Sequence, residues 1–185
     1  MFNKMCLVVA FGLLLALSAA CDSVSSEARP FETEHFTFTI PAGWQTMAEV
    51  WDRPAVLEED YYGLGLQEQV MIQYPPEQGQ GKAFFAVALS PLAEGETLDG
   101  RFTQAYQLAV PEIEEASQAS FALGDHSGYE ITYRRPWGEP WWNFRDIWLE
   151  KEGVIYVLSF HATPGSFDSY GETLDQILES FSFKK

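Results

Sequence analysis

From Phe121 onward the sequence is a series of extended segments separated by turn residues, and this pattern constrains the fold more than any other. Phe121-Ala122-Leu123 leads into Gly124-Asp125-His126-Ser127-Gly128, which reads as a turn or bulge. Tyr129-Glu130-Ile131-Thr132-Tyr133 follows as a strand. Pro136-Trp137-Gly138-Glu139-Pro140 is a turn, Trp142–Glu150 a further strand, Lys151-Glu152-Gly153 a tight turn, and Val154–His161 the returning strand. Parallel neighbours need a crossover of about a dozen residues or more, so connections this short leave only an antiparallel meander.

Upstream, His35-Phe36-Thr37-Phe38-Thr39-Ile40 puts Phe36, Phe38 and Ile40 on one face of a strand, which Pro41-Ala42-Gly43-Trp44 breaks. Met47 to Leu57 is weakly patterned, with room for a short strand. Leu66–Tyr74 looks like a strand, and the nearly all-apolar Lys82–Leu89 should be a central one. The period changes at Thr97–Leu108. Leu98, Phe102, Ala105 and Tyr106 share a helical face there, with Thr97 as the cap and Pro111 as the stop. A last helix is expected over Phe167–Phe181, with Tyr170, Leu174, Ile177, Leu178 and Phe181 as its apolar stripe. Strands, a helix, more strands and a final helix predict one α+β domain, an antiparallel β-sheet with flanking helices packed on a face.

The first twenty residues are of another kind. Lys4 is followed by an apolar run from Met5 to Leu17, then Ser18-Ala19-Ala20 and Cys21. A charged start, a short apolar core and a small-residue exit make a secretory signal peptide. The apolar core is shorter than the roughly 20 residues a transmembrane helix needs. Leu17-Ser18-Ala19-Ala20-Cys21 resembles the lipobox of bacterial lipoproteins, with its leucine four places before the cysteine. That resemblance implies cleavage before Cys21 and acylation of Cys21 with two or three chains, enough for stable attachment where one chain is marginal. A secreted protein with a chance cysteine, or an uncleaved cytoplasmic one, are the competing readings. The expected organisation is a signal peptide over 1–20, a lipidated cysteine and flexible tether over 21–33, and a folded domain over 34–185.

Formal charge is -16 at pH 7, and loss of Lys4 with the signal makes it one unit more negative. Such acidity argues against nucleic acid and against a polybasic clamp on anionic lipid. It favours a cationic partner, or does no more than keep the domain soluble. With Cys6 removed and Cys21 acylated, no thiol remains for a disulfide, a nucleophile or a metal.

No catalytic pattern emerges. His35, His126 and His161 show no metal-ligand spacing, and Gly-x-Ser-x-Gly elbows and phosphate loops are missing. Glu58-Glu59-Asp60 lacks the alternating oxygens of a calcium loop and reads as a solvated turn, and Glu112, Glu114 and Glu115 as solvated surface. No cofactor and no metal are expected. The unusual feature is Trp137, Trp141, Trp142 and Trp148, four of the six tryptophans within twelve positions, interleaved with Arg134, Arg135 and Arg145. On a strand, Trp142, Phe144 and Trp148 share one face while Trp141, Arg145 and Ile147 take the other. Either one set is core and the other packs under a helix or loop, or the rings form an exposed patch for a partner, a glycan or a lipid headgroup. Trp137, Trp141, Trp142, Arg145 and Trp148 are therefore the candidate binding residues.

Phe36-Thr37-Phe38-Thr39-Ile40-Pro41-Ala42-Gly43-Trp44 resembles the opening strand of the PsbP-like fold. Leu123-Gly124-Asp125-His126-Ser127-Gly128-Tyr129 is similar to its glycine turn, and Tyr170 through Phe183 to its last helix and the "SF" that follows. That fold includes photosystem II PsbP subunits, Mog-type Ran-binding proteins and DcrB-type envelope lipoproteins. The resemblance covers about residues 31–183. It implies a protein that binds partners rather than catalyses. The expectation is a non-enzymatic lipoprotein on the extracytoplasmic face of the cell membrane, with a protein partner or an envelope assembly. The alternative is a small-ligand or glycan-binding lipoprotein using the Trp137–Trp148 region.

Overall fold

The computed structural model of the chain describes residues 26–51, 65–75, 77, 81–109, 113–136 and 141–185. Cys21, the apolar leader, Glu58-Glu59-Asp60 and Trp137 lie outside the described residues. Two antiparallel sheets form a single domain. The smaller has β1 (Arg29–Glu32), β2 (Phe36–Ile40) and β10 (Ser182–Phe183), with β2 in the middle. The larger has β3 (Gln45–Thr46), β4 (Gln67–Tyr74), β5 (Ala83–Pro91), β6 (Glu114–Leu123), β7 (His126–Pro136), β8 (Trp141–Lys151) and β9 (Val154–Ala162). Its spatial order is β3-β4-β5-β9-β8-β7-β6, so the nearly all-apolar β5 lies inside the sheet, as its composition requires.

Helix α2 (Leu98–Ala109) covers one face of the large sheet, through Phe102 and Ala105 against Ile131, Trp148, Ile155 and Val157. The opposite face carries the small sheet and α3 (Gly171–Ser180), with Phe36, Phe38, Leu174, Ile177 and Phe181 packed on Val87, Leu149, Leu158 and Phe160. The α+β class expected from the sequence is found, with the two helices on opposite faces. The Thr97 hydroxyl caps α2 by accepting from the Gly100 N–H at 3.1 Å. A short 3-10 turn, Asp168–Tyr170, precedes α3. Among the described residues no helix is long and apolar enough to cross a membrane.

Three segments differ from the sequence expectation. Met47–Trp51 is a short helix, α1, not the start of a strand. Thr46 and Glu49 form a reciprocal capping box: the Thr46 N–H donates to the Glu49 carboxylate at 2.7 Å, and the Glu49 N–H donates to the Thr46 hydroxyl at 3.2 Å. Arg29–Glu32, expected to be tether, is a strand, because Arg29 faces Ile40 and Phe31 faces Phe38 on β2. The turn before β7 has two residues, Gly124 and Asp125, and β6 runs back to Glu114. Gly128 thus belongs to a strand, where a Cβ would stand 1.9 Å from the Trp148 carbonyl oxygen. Strand β6 ends the sheet, with Ala116 to Ser120 exposed.

The register also gathers one end of the molecule. Tyr74 faces Ala83, Ala83 faces Ala162 and Ala162 faces Asn143. Gln45 faces Gln73 beside them. The Arg29 guanidinium donates to the Glu49 carboxylate at 2.7 and 2.5 Å, which places the first residue of β1 at this same end, on α1.

Candidate functional site

Alternation along β8 divides the residues that the sequence groups together. Trp142, Phe144, Asp146 and Trp148 point to the α2 face, and Trp141, Arg145 and Ile147 to the α3 face. Trp142 is 8% exposed and Trp148 1%, so both belong to the core. Trp141 is half-buried, with the Arg134 guanidinium 5.9 Å from its ring centroid. Arg145 is held by Glu130 at 2.9 Å and reaches Asp175 of α3 at 3.5 Å, joining two strands and a helix. Of the five candidate residues four are described, and these four do not share one surface. Trp137 lies outside the described residues.

Under α2 the packing is aromatic. Phe102 meets Trp148 edge-on at 5.7 Å and stacks on Tyr129 at 4.6 Å, and the Tyr129 hydroxyl donates to Asp99 at 3.0 Å. Asp146 is wholly buried and accepts a 2.7 Å hydrogen bond from the Tyr133 hydroxyl. Burial, and then the Asp146 carboxylate, push the Tyr106 hydroxyl far above the ordinary phenol range, so Tyr106 keeps its proton.

Register aligns Phe84, His161, Phe144 and Tyr133 across β5, β9, β8 and β7. Their rings form a continuous stack, with centroid separations of 5.2, 4.8 and 5.1 Å and interplanar angles of 13°, 20° and 7°. Trp142 leans on this stack, 5.7 Å from Phe84 and 6.0 Å from His161. Burial, and then the charge of Arg135, hold the His161 imidazole well below its usual pKa. It is therefore neutral at physiological pH and packs as a ring.

Beside Phe84 and Trp142 lies a cavity of about 270 Å³, lined by Met47 and Trp51 of α1, Met71 and Gln73 of β4, Gly81, Phe84 and Trp142. Among the described residues no charged side chain lines it. The Gln73 carboxamide N–H groups are directed at the Pro75 and Glu77 carbonyls, at 3.0 and 3.1 Å. Of these residues the sequence singles out Trp142 alone. The others come from three separate segments, so no periodicity could have grouped them.

The remaining histidines sit elsewhere. His35 pairs with Glu34 at 3.2 Å, and His126 packs edge-on against Phe183 at 4.5 Å. Among the described residues no group of three or more His, Cys, Asp or Glu side chains is arranged to hold a metal ion.

No family pattern matches the sequence, and no curated protein is detectably similar to it. Solved structures are similar in fold. Cyanobacterial PsbP (CyanoP) from Synechocystis superposes with a TM-score of 0.56 at 13% identity, over 91% of this chain and 99% of that one. LpqN of Mycobacterium tuberculosis, described as involved in cell envelope biogenesis, gives 0.55 at 13% identity, over 86% and 91%. The Saccharomyces cerevisiae Ran-binding protein Mog1p gives 0.52 at 10% identity, over 85% and 96%. The fold is PsbP-like.

Proposed function

We propose that this chain is a lipoprotein, exported, acylated on Cys21 and held at the extracytoplasmic face of the cell membrane, where its PsbP-like domain binds a protein partner or supports an envelope assembly. The observation that carries the reading is how close the lipobox-like segment lies to the folded domain. Arg29, the first residue of β1, is eight positions from Cys21. A fully extended tether of that length reaches at most about 28 Å. An acylated Cys21 would therefore keep the domain against the bilayer, with the Arg29–Glu49 end nearest it.

Three further points support the reading. The similar folds include a protein of cell envelope biogenesis and a cyanobacterial PsbP. The wholly buried His161 and Asp146 are committed to ring stacking and to Tyr133, which suits a binding domain better than a catalyst. The acidic surface suits a cationic partner face. Changing Cys21 to Ala should abolish palmitate labelling and release the protein from pelleted membranes. Unchanged pelleting without any label would sink the anchored reading, and crosslinking in native cells would identify the partner. A second reading, a small-ligand-binding lipoprotein, is favoured by the cavity beside Trp142.

A further inference from the structure

We infer that the cavity between α1, β4, β5 and β8 is a binding site for a single acyl chain of about ten carbons. The inference deepens the ligand-binding reading and rests on it. Its wall is made of two tryptophans, a phenylalanine and two methionines, with one glutamine directed at backbone carbonyls. A charged or strongly polar ligand would lose its hydration there and meet no ionic partner among the described lining residues. A volume of about 270 Å³ is nearly twice the roughly 150 Å³ that holds a benzene-sized guest, which sets the capacity near ten carbon atoms. Methionine side chains are unbranched and flexible, so Met47 and Met71 can follow an alkyl chain along its length.

Position selects an acyl chain over a flat ring. Helix α1 supplies Met47 and Trp51 to the wall, and Glu49 on the same helix grips Arg29. The cavity is thus at the end where the chain leads back to Cys21. Close to an acylated cysteine, the abundant apolar ligand is an acyl chain, either one of the cysteine's own or one from a neighbouring lipid. The two share the same chemistry in the pocket.

The test uses the full chain with Cys21→Ser, which has no acyl group of its own, and 1-decanol as the probe, followed by the fluorescence of Trp51 and Trp142. One-to-one saturable binding is expected, and Met71→Trp, which fills the cavity, should weaken it at least tenfold. Met47→Trp, on the short exposed-side helix, serves as a second filling variant, and a cooperative melt of either shows that it has folded. No saturable binding, or binding that neither folded variant weakens, overturns the inference. So does tenfold tighter binding of 2-naphthol, which would assign the cavity to flat rings. A photoreactive p-benzoylphenylalanine in place of Trp51, in membrane-bound wild-type protein, distinguishes the sources. Crosslinking to the Cys21 peptide means the protein's own chain, a lipid-mass adduct means a neighbour's, and neither adduct overturns the assignment. Membrane release of Cys21→Ser is scored separately, so a failed anchor and a failed pocket give different results.

Discussion

His161 gives the domain a calculable response to acid. The imidazole is wholly buried between Phe84 and Phe144, with Arg135 raising the cost of a positive charge. Its folded-state pKa therefore lies well below the value of about 6.5 that it has when unfolded. The stabilisation is fully present above about pH 6.5 and declines as pH falls, because the unfolded chain takes up a proton that the folded one refuses. Each pH unit between the unfolded and the folded pKa costs about 1.4 kcal/mol, so the loss from this one group at pH 5 has a ceiling of about 2 kcal/mol. The perturbation is His161→Phe, which keeps a flat ring in the stack and removes the titration. Urea melts of both proteins at pH 7.5 and 5.0 measure the effect. With a slope near 2 kcal/mol per molar, the wild type should lose more of its midpoint than the variant does, by up to about 1 M. Other titrating groups are common to both proteins and cancel in the difference. Equal midpoint losses would show that His161 accepts a proton in place, and the reasoning would fail.

Gly128→Ala should destabilise the domain by about 3 kcal/mol in thermal melts, since the new Cβ meets a backbone carbonyl at 1.9 Å and strands β7 and β8 must separate. Gly124→Ala, at φ 58° with open space around it, should cost only about 1 kcal/mol. Trp148→Ala should cost about 3–5 kcal/mol by chemical denaturation, as large core truncations do. Trp141→Ala should keep the cooperative melt and weaken partner capture. Loss of the melt in that variant would place Trp141 in the core instead.

Much of the fold is legible because burial leaves a period in the sequence. The alternation of Phe36, Phe38 and Ile40 gives β2, and the stripe from Leu174 to Phe181 gives α3. What escapes is structure that rests on the backbone or on partners remote in sequence. Strand β1 contains Pro30 and a glutamate, and forms because its backbone pairs with β2. The exposed Ala, Ser and Gln of β6 leave no apolar alternation, and the strand follows its register on β7. Gly128 looks like a turn residue among Gly, Asp and Ser, but it is required by the closeness of the Trp148 carbonyl. Helix α1 did carry a signal, the Thr46–Glu49 spacing of a capping box. At the candidate site, alternation correctly places Trp142 and Trp148 opposite Trp141 and Arg145. Which face is closed depends on α2, and the cavity on residues from Met47 to Trp142, neither of which a local pattern encodes.

The terminal strand β6 has one more consequence. Natural sheets discourage edge-to-edge growth with lysines, prolines or inward charges on the outermost strand. From Ala116 to Leu123 this edge has none of them. Beyond Glu114 and the register shift that follows it, what keeps two copies apart along this stretch is long-range repulsion between strongly acidic molecules, a force that fades beyond about 8–10 Å in physiological salt. Colloidal stability is thereby delegated from the edge itself to the surrounding electrolyte. Raising the ionic strength should bring the bare edges together, with reversible association as the outcome.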